Sequence, residues 1–140
     1  MKLIRKLLAV AIGAVAWQAA FAADVTLRFH QFLPPQATIP SKAIVPWAQK
    51  VEKESGGRIK VQHFPSMQLG GKPEDLAGQV RDGVVDIVWT LPGYTPAAFP
   101  ISDVLELPFM VPSGVVGSQA FMDFGTKAAA ADYQEYHVLV

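Results

Sequence analysis

Three short runs rich in β-branched and aromatic residues punctuate this chain: VTLRFH (Val25 to His30), IKVQHF (Ile59 to Phe64) and VVDIVW (Val84 to Trp89). Helix-like segments separate them. Strands that alternate with helices form a parallel sheet, because a parallel pair needs a crossover long enough to bring the chain back to the same end. In an open parallel sheet the ligand crevice lies beyond the carboxyl ends of the strands. The segments that follow His30, Phe64 and Trp89 are therefore where function is expected.

The crossovers have their own signals. Ile44, Trp47, Ala48 and Val51 fall at i, i+3, i+4 and i+7, one apolar stripe of a helix predicted over 38–54. Pro40 suits a first turn, and Pro46 predicts a kink or a start near it. Gly56-Gly57 supplies a left-handed stop. A second helix opens at Pro73-Glu74-Asp75, with proline at the first position and acids near the positive end of the dipole. Leu76, Ala77 and Val80 form its inner face, and Asp82-Gly83 closes it. VVDIVW is nearly all apolar, as expected of a strand buried on both faces, with Asp86 interrupting it. The segment TLPGYTPAAFPISDVLELPFMVPSG holds five prolines and cannot be one helix. Its apolar content predicts irregular chain packed onto the sheet. A third helix is expected from Ser113 or Gly114, with Val116, Ala120, Phe121 and Phe124 on one broad face and the helix-forming run Ala128 to Ala131 after it. HVLV at the C-terminal end reads as a fourth strand.

The first 22 residues read as a cleaved signal peptide: Lys2, Arg5 and Lys6, then the apolar stretch Leu7 to Trp17, then Ala20-Phe21-Ala22 at a cleavage site. Export to the periplasm is the corresponding expectation, with 23–140 as the remaining domain. Cleavage would remove three of 12 basic residues and none of 12 acidic ones. The mildly acidic domain that remains has no basic cluster, which argues against nucleic acid as a partner. Cysteine is absent, which excludes thiol nucleophiles and thiolate metal sites.

No catalytic constellation stands out, and no metal or cofactor is expected. His30, His63 and His137 lack a second ligand at metal spacing. His30 ends the first strand, where it could face a ligand or be held by backbone. Ser66 is not in a G-x-S-x-G elbow. Gly70-Gly71 before a helix could form an anion nest but lacks the rest of a phosphate loop. The aromatics Phe32, Trp89, Tyr94, Phe99 and Phe109 flank the expected crevice. Phe99 and Phe109 read as core. Trp89 and Tyr94 are open between core and pocket wall.

Taken in order, ESGGRIKVQHFPSMQLGG, DLAGQVRDGVVDIV and LELPFM resemble the extracytoplasmic solute-binding proteins of TRAP transporters. The likeness runs from about Asp24 to the C-terminus. It implies an α/β, periplasmic-binding-protein-like lobe: a mostly parallel sheet flanked by helices, part of a two-lobed clamshell whose second lobe is missing here. It implies an organic acid as ligand and the membrane permease subunits of a TRAP transporter as partner. It implies no enzyme. The arginine that grips the carboxylate in that family would lie beyond Val140, and Arg28, Arg58 and Arg81 do not match it. Gln31 and Phe32 match the ligand-touching loop after the first strand. Lys72 matches the position after the Q-L-G turn. Thr90, Leu91 and Tyr94 match the pocket-lining loop after the third strand. With Trp89, this set fits an apolar or aromatic carboxylate. The rival readings are a non-functional truncated remnant and a small exported hydrolase using His30 and Ser66.

Overall fold

The computed structural model describes residues 23–137. The signal-peptide expectation and the last three residues of HVLV lie outside them, and His137 has no regular structure. The strands are β1 (Val25–Gln31), β2 (Ile59–Phe64) and β3 (Ile87–Trp89). The helices are α1 (Val45–Glu54), α2 (Leu76–Arg81) and α3 (Gly114–Lys127). All strand pairs are parallel, and β1 is central in the order β2-β1-β3.

Side chains alternate across a strand, so the sheet has two distinguishable faces. Phe29, whose ring meets Trp47 of α1 edge-on at 5.9 Å, marks one face. His30, which bonds Gln79 of α2, marks the other. The two crossover helices therefore cover opposite faces. The chain leaves β1 toward β2 on one side and returns to β3 on the other. The gap between β1 and β3 is the topological switch point, where adjacent exits diverge and leave a crevice.

Each crossover follows from local chemistry. Helical backbone precedes α1 without a break, and α1 itself starts at Val45, next to Pro46, as the proline predicts. A π-helical turn over Pro40–Ile44 widens the backbone, with the Val45 N–H reaching Pro40 O. That arrangement relieves the clash a proline ring would make with the carbonyl four residues earlier. Ile44 is buried, and Trp47, Ala48 and Val51 are half-buried, as the stripe requires. At the other end Gly57 N–H bonds Glu52 O at 2.8 Å and Gly56 N–H bonds Lys53 O at 3.1 Å. Both glycines have positive φ, so this is a Schellman stop. Leu76 and Ala77 of α2 are buried, and Asp75 Oδ2 accepts from Lys72 N–H at 2.7 Å ahead of it.

Two expectations are corrected. The third strand begins at Ile87, not Val84. Asp86 ends the pairing there: its Oδ2 accepts from Arg28 N–H at 2.7 Å, and its own N–H bonds Arg28 O at 3.1 Å. A carboxylate thus takes the β1 donor that a ladder would use. Ile87, Val88 and Trp89 are half-buried rather than enclosed on both faces. Second, the proline-rich segment is not uniformly packed down. It holds two 3₁₀ turns, Pro92–Tyr94 and Ser102–Glu106, but Leu107, Phe109, Met110 and Val111 are exposed. Phe109, read as core, projects fully into solvent from a backbone with φ of 66°. The helix α3 ends at Lys127, ahead of the alanine run, and Ala130–Tyr133 forms a 3₁₀ turn.

Ser113 caps α3 as expected, its Oγ accepting from Val116 N–H, but α3 buries no residue fully. A small second cluster forms around Phe99, which is buried between Tyr133 and Tyr136 at 5.4 Å from each ring. Asp132 Oδ2 ties it together by accepting from the N–H groups of Ile101 and Ser102.

Candidate ligand-binding site

Phe32, Trp89 and Tyr94 come together at the switch point. Phe32 is the first residue after β1, Trp89 the last of β3, and Tyr94 closes the turn that follows. The Phe32 ring lies 5.2 Å from Trp89 at 31° between planes, and 5.2 Å from Tyr94 at 65°. The Phe32–Tyr94 pair is edge-to-face, a favourable arrangement of ring quadrupoles. Phe32 and Trp89 are half-buried and Tyr94 is 41% exposed, so the cluster presents an open aromatic surface.

The turn bearing Tyr94 is fixed from outside. Tyr94 N–H bonds Leu91 O at 3.1 Å, and Gly93 N–H donates to Glu106 Oε1 at 2.9 Å. A Cβ at Gly93 would crowd the Glu106 carboxylate, which would have to swing aside and give up this geometry. Glu106→Ala should loosen the turn and cost about 1 kcal/mol, the usual net value of such a bond. Glu106→Gln, which keeps an acceptor, should cost less. Chemical denaturation measures both.

The remaining expected site residues fall as follows. Thr90 is half-buried and Leu91 exposed, both on the exit from β3. Lys72 is exposed, with its ammonium 4.0 Å from Glu74. Such a surface pair constrains it little. Gln31 is fully buried. Its Nε2 donates to Leu33 O at 2.9 Å, its Oε1 accepts from Leu33 N–H, and Nε2 also lies 3.1 Å from His63 Nε2. In this arrangement its amide shapes the loop that carries Phe32.

Sequence reasoning missed the supports beneath the loops. His30 is fully buried on the α2 face. The Leu69 N–H can only donate, so His30 Nε2 accepts from it at 3.3 Å. Nδ1 then carries the proton and donates to Gln79 Oε1 at 2.7 Å. Gln79 Nε2 in turn donates to Gly70 O at 3.1 Å. His30 is thus held by side chain and backbone rather than facing a ligand, and it bonds Gln79 and Leu69, not Ser66. The exit loop of β2 also leans on that of β1. Ser66 and Met67, both at positive φ, donate their N–H groups to Leu33 O and Gln31 O. Two consecutive non-glycine residues in that region imply a loop over-determined by its contacts.

Two hollows among the described residues lie away from the aromatic cluster. One, of about 390 Å³, lies between α2 and the Thr95–Ala98 turn and includes Arg81 and Tyr136. The other, of about 430 Å³, is a shallow hollow along α3. Thr95 Oγ1, which borders the first, is buried without a partner among the described residues.

The strand exits of this parallel lobe converge on three aromatic side chains at the edge where open α/β sheets place their ligand crevices. The chain belongs to the bacterial extracellular solute-binding proteins, family 7 (DctP), matching that family over residues 29–139. A marine metagenome TRAP solute-binding protein specific for aromatic acid ligands, solved with 3-hydroxybenzoate, is 50% identical with a TM-score of 0.79, covering 85% of this chain and 37% of that one. A TRAP solute-binding protein from Rhodoferax ferrireducens T118, solved with copurified benzoate, is 44% identical with a TM-score of 0.76, covering 82% and 36%. A solute-binding protein of Verminephrobacter eiseniae (strain EF01-2) is 30% identical over 119 residues, 79% of this chain and 35% of its own length. The chain therefore spans about a third of the length of these relatives.

Proposed function

We propose that this chain supplies part of the binding site of an exported TRAP-transporter solute-binding protein that captures an aromatic monocarboxylate for import through its membrane permease. The observation that carries this reading is the contact of Phe32 with both Trp89 and Tyr94 at the switch point. Flat rings set at the mouth of the crevice offer faces and edges to a flat ligand. Ligand pockets combine such apolar walls with a few placed polar groups. The two similar proteins solved with 3-hydroxybenzoate and benzoate support the same ligand class. Thr90 and Leu91 border the wall. Lys72 serves as a secondary cation near the carboxylate, and Gln31 orders the loop rather than gripping the ligand.

The wall is open on one side, so a ligand held by these residues alone would stay largely solvated. Enclosure by a second lobe supplies the rest of the burial. The test is calorimetric titration of a chimaera that joins residues 23–137 to the remaining chain of the marine metagenome relative. The panel is benzoate, 3-hydroxybenzoate, succinate and galacturonate. The aromatic acids are expected to bind best. Tighter binding of succinate or galacturonate would refute the reading.

A further inference from the structure

The amide of Gln31 has no freedom of orientation. Leu33 presents one backbone donor and one backbone acceptor, so Gln31 must turn Oε1 to the Leu33 N–H and Nε2 to the Leu33 carbonyl. The second hydrogen on Nε2 points at His63 Nε2, 3.1 Å away. That contact is a hydrogen bond only if His63 Nε2 is a bare acceptor, so the neutral Nδ1–H tautomer is required. A protonated ring would set two N–H donors against each other beside a fully buried amide.

We infer that His63 is a positioning residue for Phe32: through Gln31, its neutral Nε2 holds the loop after β1 in register, and protonation of His63 releases Phe32 from Trp89 and Tyr94. The inference rests on the reading that Phe32 belongs to the ligand wall, since only then does the release weaken binding.

The surroundings favour a group that is neutral at rest and charges on acidification. His63 lies on the α1 face with Phe29, whose ring meets it edge-on at 5.9 Å. The charged groups on the elements around it are Arg28 and His30 of β1, Lys60 of β2, Lys42 ahead of α1, and Lys50, Glu52, Lys53 and Glu54 in α1. Arg28, His30 and Lys60 fall on the opposite face by strand alternation. Lys42 and the α1 residues are exposed, and Lys50 pairs with Glu54. The loop after β1 carries no ionisable side chain. The loop after β2 carries Lys72, exposed and beside Glu74. No carboxylate hydrogen-bonds His63 among the described residues. Burial alone pushes the imidazole below its usual 6.5.

The folded state binds fewer protons than the unfolded chain, so the stabilisation is fully present above about pH 6.5 and is lost as pH falls through the lower value that burial gives His63 in the folded state. His30, on the other face and bonded to Gln79 and Leu69, is the group that must be separated from this effect.

The experiment uses the chain without ligand. Side-chain ¹⁵N shifts of His63 at pH 7.5 should show Nδ1 protonated and Nε2 bare. A 5-fluorotryptophan resonance at Trp89, assigned with Trp89→Phe, should shift as pH falls, with the midpoint of the His63 titration. His63→Gln, whose carbonyl accepts from Gln31 at any pH, should hold the Trp89 signal constant. His63→Leu should displace it at every pH. A protonated Nε2 at pH 7.5 would overturn the inference, as would a Trp89 signal indifferent to His63 titration. So would a His63→Gln protein that keeps the wild-type pH response, since that would place the response at His30 or elsewhere. Because the readout is ligand-free, failure of benzoate to bind the chimaera would count against the ligand reading alone.

Discussion

Tyr94→Ala should weaken binding of 3-hydroxybenzoate to the chimaera by about tenfold or more, which corresponds to about 1.4 kcal/mol. Tyr94 is the most exposed ring of the cluster, and it is held on a 3₁₀ turn rather than in the sheet. Removing it takes away an edge-to-face partner and part of the apolar wall without cutting a strand. An aromatic pair alone is worth about 0.5–1.5 kcal/mol beyond the area it buries. Trp89→Ala should weaken binding further, but it also removes a half-buried side chain from β3, so a loss of stability accompanies it. Lys72→Ala should change affinity by about fivefold or less, because an exposed ammonium contributes under about 1 kcal/mol. Calorimetry separates the three variants. Equal, small effects at Tyr94 and Lys72 would remove the aromatic wall from the site.

The largest stability effect is expected at Leu76. Its side chain is fully buried in the first turn of α2, the helix that packs against β3 and carries Gln79. Leu→Ala substitutions at such sites cost about 2–5 kcal/mol, the lost transfer energy plus the cavity left behind. Single domains hold only about 5–15 kcal/mol in reserve, so Leu76→Ala should lower the urea midpoint sharply. It should also disturb the loop over 65–72, because Gln79 links α2 to His30 and Gly70. A midpoint unchanged from wild type would mean that α2 does not belong to the cooperative core.

The strand-and-helix framework was legible because its signals are local. The apolar stripe ending at Val51, the Gly56-Gly57 stop, proline and acids ahead of α2, and serine ahead of α3 each act within a turn of chain. The convergence of Phe32, Trp89 and Tyr94 followed from one topological rule about strand exits. What was not legible depends on residues far apart. His30 meets Gln79 across 49 positions and Gln31 meets His63 across 32, and neither pair has a spacing that sequence could flag. A buried histidine and a buried glutamine in succession at the end of a central strand are the clue that could have found them. Buried polar groups need partners, and only neighbouring elements can supply them. Asp86 shortened β3 for the same reason, since its partner Arg28 lies 58 residues earlier. Phe109 was misplaced because hydrophobicity marks a preference for burial, not the presence of a surface to bury against.

The measurement that bears most directly on the binding site is the set of proton contacts between bound 3-hydroxybenzoate and the aromatic side chains, observed as intermolecular nuclear Overhauser effects in the chimaera. Ring protons of the ligand are expected to show contacts to Trp89 and Tyr94, and to Phe32 beside them. Contacts confined to residues outside this cluster, with Trp89 and Tyr94 silent, would contradict the assignment of the switch point as the site.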